Sequence, residues 1–175
     1  MKLADEAVAR ARRLLVLGLG NTILTDDGAG IYLLRAIREN WDQPGVDFAE
    51  ASLAGLGLLD IIAGYDALVI LDSFPAGDGE PGEVCELDVH SLSSTVRLTG
   101  VHDINLATAL ELGRRMGIRM PEEVRIYVIR ASDVYTLGER CTPEVEAAIP
   151  AVADLVAERI KEMMPGTTNV QGWRR

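Results

Sequence analysis

Apolar runs and helix-like patterns alternate along most of the chain. Short apolar or alternating runs predict five strands, at Leu14–Leu19, Val46–Ala51, Ala67–Leu71, Glu83–Val89 and Val124–Ile129. Apolar residues at helical spacing predict four helices, at Ala29–Asn40, Leu56–Ala63, Ile104–Met116 and from Thr142 onward. Such alternation is typical of helices packed on both faces of a sheet. We therefore predict an α/β fold, a three-layer α/β/α sandwich around a twisted, five-stranded, mostly parallel (mixed) sheet.

Two of the predicted strands indicate where they lie in the sheet. Ala67–Leu71 is apolar at every position, as expected of a strand that is covered on both faces. Glu83–Val89 mixes apolar and polar residues, which predicts a more exposed strand near a sheet edge. In a flavodoxin-like strand order, 2-1-3, the first and third strands are neighbours at the point where ligands bind.

Length and charge restrict the class of protein. The 175 residues suit a single domain, 1–175, with an N-terminal extension at 1–12 and a flexible tail at 166–175. A net charge of −10 argues against a nucleic-acid partner. No apolar run approaches the length of a membrane span, and the N-terminus carries acidic residues where a signal peptide needs an apolar region. We therefore expect no membrane partner and a cytoplasmic location.

Cysteine usage points to neither disulfides nor a metal cluster. The chain has two cysteines, Cys85 and Cys141, which form no CxxC pair and no disulfide framework. Cys85 lies in a strand-like stretch, where we expect a small buried residue.

The stretch Leu14–Gly30, LLVLGLGNTILTDDGAG, reads as a strand, a polar turn and the start of a helix. Ile23 stands where the GxGxxG dinucleotide motif, begun at Gly18 and Gly20, needs its third glycine. The chain also lacks a GxxxxGK[ST] phosphate-binding loop, so we predict no nucleotide cofactor.

Three aspartates are candidates for chemistry at the carboxyl ends of the strands. Asp26 and Asp27 come at the start of the first helix. One acidic residue is enough to cap that helix, which leaves the other to face the crevice beyond the carboxyl ends of the strands. Asp72 ends the apolar run of the third strand, which is also a common place for a turn residue. If the first and third strands are neighbours, Asp27 and Asp72 approach each other, and they repel unless a proton or a cation lies between them.

A histidine completes a possible metal set. Of the two histidines, His90 follows a strand in a polar run typical of a surface, whereas His102 immediately precedes a helix. At this position His102 is equally suited to be a side chain that caps the helix or a metal ligand. Together with Asp27 and Asp72 it would give one imidazole and two carboxylates, a ligand set suited to nickel or zinc. A histidine ligates when neutral, so binding should fade below about pH 6. The absence of GxSxG and HExxH argues against a serine hydrolase and an ordinary zinc protease.

Several pieces of the sequence together resemble the nickel–iron hydrogenase maturation endopeptidases, which trim the C-terminal extension of the hydrogenase large subunit. These pieces cover nearly the whole chain: VLGLGNTILTDDGAG, LVILDS, TGVHDINLATAL and TPEVEAAIPAV. The resemblance implies an endopeptidase whose partner is a large-subunit precursor, and whose nickel is carried by that precursor as a recognition signal. It also implies a monomer.

The family's metal ligands fall on Asp27, Asp72 and His102 of this chain. Asp26 and Asn21 are possible accessory residues, and the general base is left unassigned. The segment Arg130–Arg140, RASDVYTLGER, departs from the family pattern and is a candidate determinant of which hydrogenase is recognised. Two alternatives stay open: a non-catalytic metal- or small-ligand-binding module on a flavodoxin-like sheet, and a chaperone-like partner that only checks for nickel.

Overall fold

The computed structural model describes residues 11–52, 55–87, 89 and 106–164. Both histidines, the start of the helix predicted at Ile104, and the predicted tail lie outside the described residues. Of the predicted N-terminal extension, 1–12, the structure describes only residues 11 and 12.

Within these described residues, five strands form one sheet, and four helices accompany them. The strands are β1 (Leu14–Leu19), β2 (Val46–Ala51), β3 (Ala67–Pro75), β4 (Val84–Leu87) and β5 (Glu123–Ala131). The helices are α1 (Ala29–Glu39), α2 (Leu59–Ile62), α3 (Leu106–Arg115) and α4 (Pro143–Met163). The strand order is β2-β1-β3-β5-β4. All neighbours are parallel except β4, which pairs with β5 in the antiparallel direction at the edge. The predicted α/β fold, the 2-1-3 order and the edge strand are confirmed.

The sheet is covered on both faces, because successive residues of a strand point to opposite sides. One face, with Val16 and Val69, packs against α1 and α4. The other face, with Leu17 and Ile70, packs against α2 and α3. None of the helices in the described part of the chain is long and apolar enough to cross a membrane.

The two largest differences between predicted and observed element boundaries are in β3 and α2. The third strand does not end before Asp72 but continues to Pro75, because β5 pairs with it as far as Ala131. Asp72 therefore lies within β3, one residue beyond the last pair that β3 forms with β1, Gly18 with Leu71. The second helix is four residues long, Leu59–Ile62, and follows a 3₁₀ turn at Gly55–Leu58.

Helix α1 approaches the sheet unusually closely at Gly30. A Cβ atom at that position would lie 2.5 Å from the carbonyl oxygens of Leu19 and Leu71 and 2.8 Å from the Cα of Asp72. These neighbours are backbone atoms of the sheet and cannot move aside. Gly30 therefore sets how near the first turn of α1 comes to the carboxyl ends of β1 and β3.

We predict that Gly30→Ala lowers the free energy of unfolding by about 3 kcal/mol, the upper range for forcing a methyl group into a packed interior. Urea unfolding followed by circular dichroism measures this change. Gly113→Ala in α3 is the matched control, because its new Cβ meets only the flexible Met120 side chain, at 2.9–3.0 Å. Equal unfolding midpoints for the two variants would contradict the role of Gly30.

Candidate functional site

The loop after β1 folds back on itself and presents Asp27 at the end of that strand. Gly20 has φ of +142°, and a Cβ there would lie 2.0 Å from the carbonyl oxygen of Asp27. The Asn21 N–H donates to that same carbonyl oxygen at 3.3 Å, and the Asp27 N–H donates to Leu24 at 2.8 Å. Asn21 also accepts the Ile23 N–H on its side-chain oxygen at 3.2 Å. Asn21 thus shapes this loop, and its accessory role stays a prediction.

Asp72 lies at the same rim of the sheet as Asp27, on the side of the carboxyl ends of β1 and β3. The first turn of α1 reaches Asp72 through Gly30, three residues after Asp27, and β3 contacts the 3₁₀ turn Thr25–Gly28 that contains Asp27. The Ser73 N–H donates to the Asp72 carboxylate at 2.7 Å. Asp27 and Asp72 are each only 9% exposed. The structure therefore places two mostly buried aspartates at one rim of the sheet, Asp27 in the turn after β1 and Asp72 within β3.

Asp26 is fully buried, and its carboxylate ties together two distant segments. It accepts the backbone N–H groups of Ser132 and Asp133 at 2.8 and 3.0 Å. It also accepts the backbone N–H of Thr142 at 2.7 Å and the Thr142 hydroxyl at 2.9 and 3.1 Å. These bonds connect the turn that carries Asp27 to the end of β5 and to the start of α4.

The expected capping of α1 by one of the two aspartates is wrong. The N-cap of α1 is Gly28, which has no side chain with which to cap the helix. The 3₁₀ turn directs Asp26 instead to Thr142, which is the N-cap residue of α4, directly ahead of Pro143. Sequence offers no signal for this contact, since Asp26 and Thr142 are 116 residues apart. The accessory role of Asp26 at a metal stays a prediction beside this structural one.

His102, the third predicted ligand, lies outside the described residues. Within the described part of the chain, no group of three or more His, Cys, Asp and Glu residues could hold a metal ion. The carboxylates of Asp27 and Asp72 thus share a rim, and the complete set of Asp27, Asp72 and His102 stays a prediction.

The two cysteines are free, and their surroundings differ. Cys141 is buried beside the turn, where its thiol donates to the Thr25 carbonyl at 3.8 Å. Burial, reinforced by the neighbouring Asp26, raises the pKa of the Cys141 thiol to about 12. A thiol with that pKa stays protonated at neutral pH and does not act as a nucleophile. Cys85, expected to be buried, is only half-buried because it lies on the edge strand β4.

The segment after β5 is held against the turn by Asp133. Its carbonyl oxygen accepts the Thr25 hydroxyl at 2.6 Å and the Asp26 N–H at 3.0 Å. Its carboxylate accepts the N–H groups of Tyr135 and Thr136 at 2.9 and 3.0 Å. Bonds from Thr136 and Tyr135 to the charged form lower the pKa of Asp133. The departure of Arg130–Arg140 from the family pattern is visible in the sequence, but these contacts are not.

Comparison with known proteins agrees with this architecture. A family model described as hydrogenase maturation protease matches residues 31–159. The Hydrogenase 2 maturation protease of Escherichia coli (strain K12) is 30% identical over 152 residues, which cover 86% of this chain and 92% of that protein.

Solved structures show the same similarity. The E. coli hydrogenase maturating endopeptidase HybD has a TM-score of 0.73 at 28% identity, covering 86% of this chain and 93% of that one. The hydrogenase 2 maturation peptidase from Thaumarchaeota archaeon SCGC_AB-539-E09 has a TM-score of 0.61 at 25% identity, with 85% and 98% covered.

The fold and these matches define a peptide-bond hydrolase built on a mixed α/β sheet. This chain belongs to the hydrogenase maturation protease family. The predicted resemblance is therefore confirmed at the level of the family.

We predict that Asp26→Ala lowers the free energy of unfolding by about 3 kcal/mol, because three backbone N–H groups lose their acceptor. Chemical denaturation at pH 7 measures the loss. Asp154→Ala, an exposed aspartate in α4, is the control, with an expected change within about 0.5 kcal/mol. If the two variants had similar free energies of unfolding, Asp26 would not be the residue that holds the turn against β5 and α4.

Proposed function

We propose that this chain is an endopeptidase that removes the C-terminal extension of a nickel–iron hydrogenase large-subunit precursor after nickel has been inserted. The nickel belongs to the precursor and serves as the recognition signal. Asp27, Asp72 and His102 hold it while the scissile segment lies across the carboxyl edge of the sheet.

The observation that supports this proposal most is the placement of Asp27 and Asp72 at one rim of the sheet. Each is 9% exposed, so each carboxylate is largely removed from water. Two neighbouring buried carboxylates are costly unless a positive charge or a proton compensates them. We propose that a divalent cation delivered by the substrate adds positive charge at this rim, alongside the interactions that Asp27 and Asp72 already make.

The donor set suits nickel carried by another protein. Two carboxylates and one neutral imidazole are ligands that divalent first-row metals accept. Three ligands leave further coordination positions for groups of the precursor itself. A metal held in this way polarises a peptide carbonyl or activates water when it is bound next to the scissile bond.

The chain's own residues position the reaction. Asp26 and Asp133 hold the turn that carries Asp27 against the end of β5, and Gly30 sets the distance of that turn from Asp72. Ligands on secondary-structure ends held by such contacts are more precisely placed than ligands on free loops. The general base is not assigned, and Cys141 is excluded as a nucleophile by its raised pKa.

We predict that this protein shortens a nickel-loaded large-subunit precursor and leaves the nickel-free precursor intact, as measured by intact-protein mass spectrometry. Asp27→Asn, Asp72→Asn and His102→Ala should each slow processing by more than about a hundredfold, since loss of even an outer-shell partner at metal sites costs about 10–100-fold. His90→Ala is the matched control, because His90 is the only other histidine of the chain.

The outcomes separate the alternatives. Unimpaired processing by His102→Ala would remove that residue from the site. Binding of the precursor without any loss of mass would favour a chaperone-like role. Tight binding of a small ligand, with neither metal affinity nor processing, would favour a non-catalytic module.

A further inference from the structure

Three large apolar side chains are exposed beside the candidate site. Ile23 is 56% exposed, Tyr135 is 83% exposed and Leu137 is 75% exposed. In the part of the chain that the structure describes, these are three of the five exposed large hydrophobic residues, the others being Met116 and Leu155. We refer to Ile23, Tyr135 and Leu137 as the apolar patch.

The apolar patch lies on two segments that are joined to each other. Leu24 and Leu137 form an isolated antiparallel bridge, and the Gly138 N–H donates to the Ile23 carbonyl at 3.1 Å. The Tyr135 N–H is held by the Asp133 carboxylate at 2.9 Å. The backbone that presents these side chains is therefore ordered before any partner binds, which lowers the entropic cost of binding.

The apolar patch also lies close to the candidate site. Ile23 belongs to the same loop as Asp27 and is four residues away, so their Cα atoms are at most about 14 Å apart. A stable protein interface covers about 800 Å² per partner, which corresponds to a disc about 16 Å in radius. A protein substrate whose scissile segment reaches Asp27 is therefore wide enough to reach Ile23 and the segment bridged to it as well.

We propose that the apolar patch is the docking surface for the body of the hydrogenase large-subunit precursor, next to the segment that is cut. This inference rests on the proposed function. The partner must present an apolar surface, because Ile23 and Leu137 bring no hydrogen-bonding side chain and Tyr135 brings one hydroxyl. Burying exposed aromatic and aliphatic anchors of this kind supplies much of the affinity of protein interfaces.

The test compares two double variants in the otherwise unchanged protein. Tyr135→Ser with Leu137→Ser removes most of the apolar patch, and Met116→Ser with Leu155→Ser removes two other exposed apolar residues, one directly after α3 and one on α4. Binding of nickel-loaded precursor is measured by calorimetry, and processing is measured by mass spectrometry. We expect the patch variant to raise both Kd and KM about tenfold or more with kcat changed less than about twofold, and the control to stay within about twofold of the unmodified protein.

Other outcomes overturn the inference. Equal binding by the patch variant and the unmodified protein would exclude the apolar patch as a docking surface, and so would equal weakening by the control variant. Dimerisation of the unmodified protein that the patch substitutions abolish would assign the apolar patch to a second copy of this chain. Precursor binding without cleavage in the unmodified protein would refute the proposed function alone, since the Kd comparison still decides the inference.

Discussion

The first turn of α1 lies against the carboxyl ends of β1 and β3, and position 30 has room for only a hydrogen atom. The backbone oxygens of Leu19 and Leu71 occupy the space that any larger side chain would need. This close contact places Asp27 and Asp72 at one rim, although 45 residues separate them in the chain. Without it, neither a shared cation nor a substrate segment bound across the rim has a structural basis.

The buried carboxylate of Asp26 supports this arrangement from the other side of the turn. Its bonds to Ser132, Asp133 and Thr142 join the turn to the end of β5 and to the start of α4. Adjacent aspartates therefore have separate roles in this structure. Asp26 organises the backbone around the turn, and Asp27 occupies the rim, where we propose that it binds a cation.

The fold was predictable because its signals are local. Apolar runs and helical spacing are properties of short segments, and they identified the strands; the 2-1-3 order, which the structure shows, came from the likeness of the strand–helix alternation to a flavodoxin-like sheet. Errors arose where a distant partner decides the outcome. β3 continues past Asp72 because β5 pairs with it, and Asp26 binds Thr142 instead of capping α1.

The site was predictable only in part, for the same reason. The location of Asp27 and Asp72 at one rim follows from the strand order, whereas the role of Asp133 depends on hydrogen bonds between loops that are far apart in sequence. The apolar side chains of Ile23 and Leu137 have no shared sequence pattern. Their relation becomes visible only when the bridge between Leu24 and Leu137 is formed.

The most direct test of the central claim is a crystal structure of the protein grown with Ni²⁺, with anomalous diffraction recorded at the nickel edge. The account predicts one peak at the rim, about 2.0–2.2 Å from carboxylate oxygens of Asp27 and Asp72 and from a ring nitrogen of His102. A peak coordinated by other residues, or carboxylates too far apart to contact one ion, would contradict it.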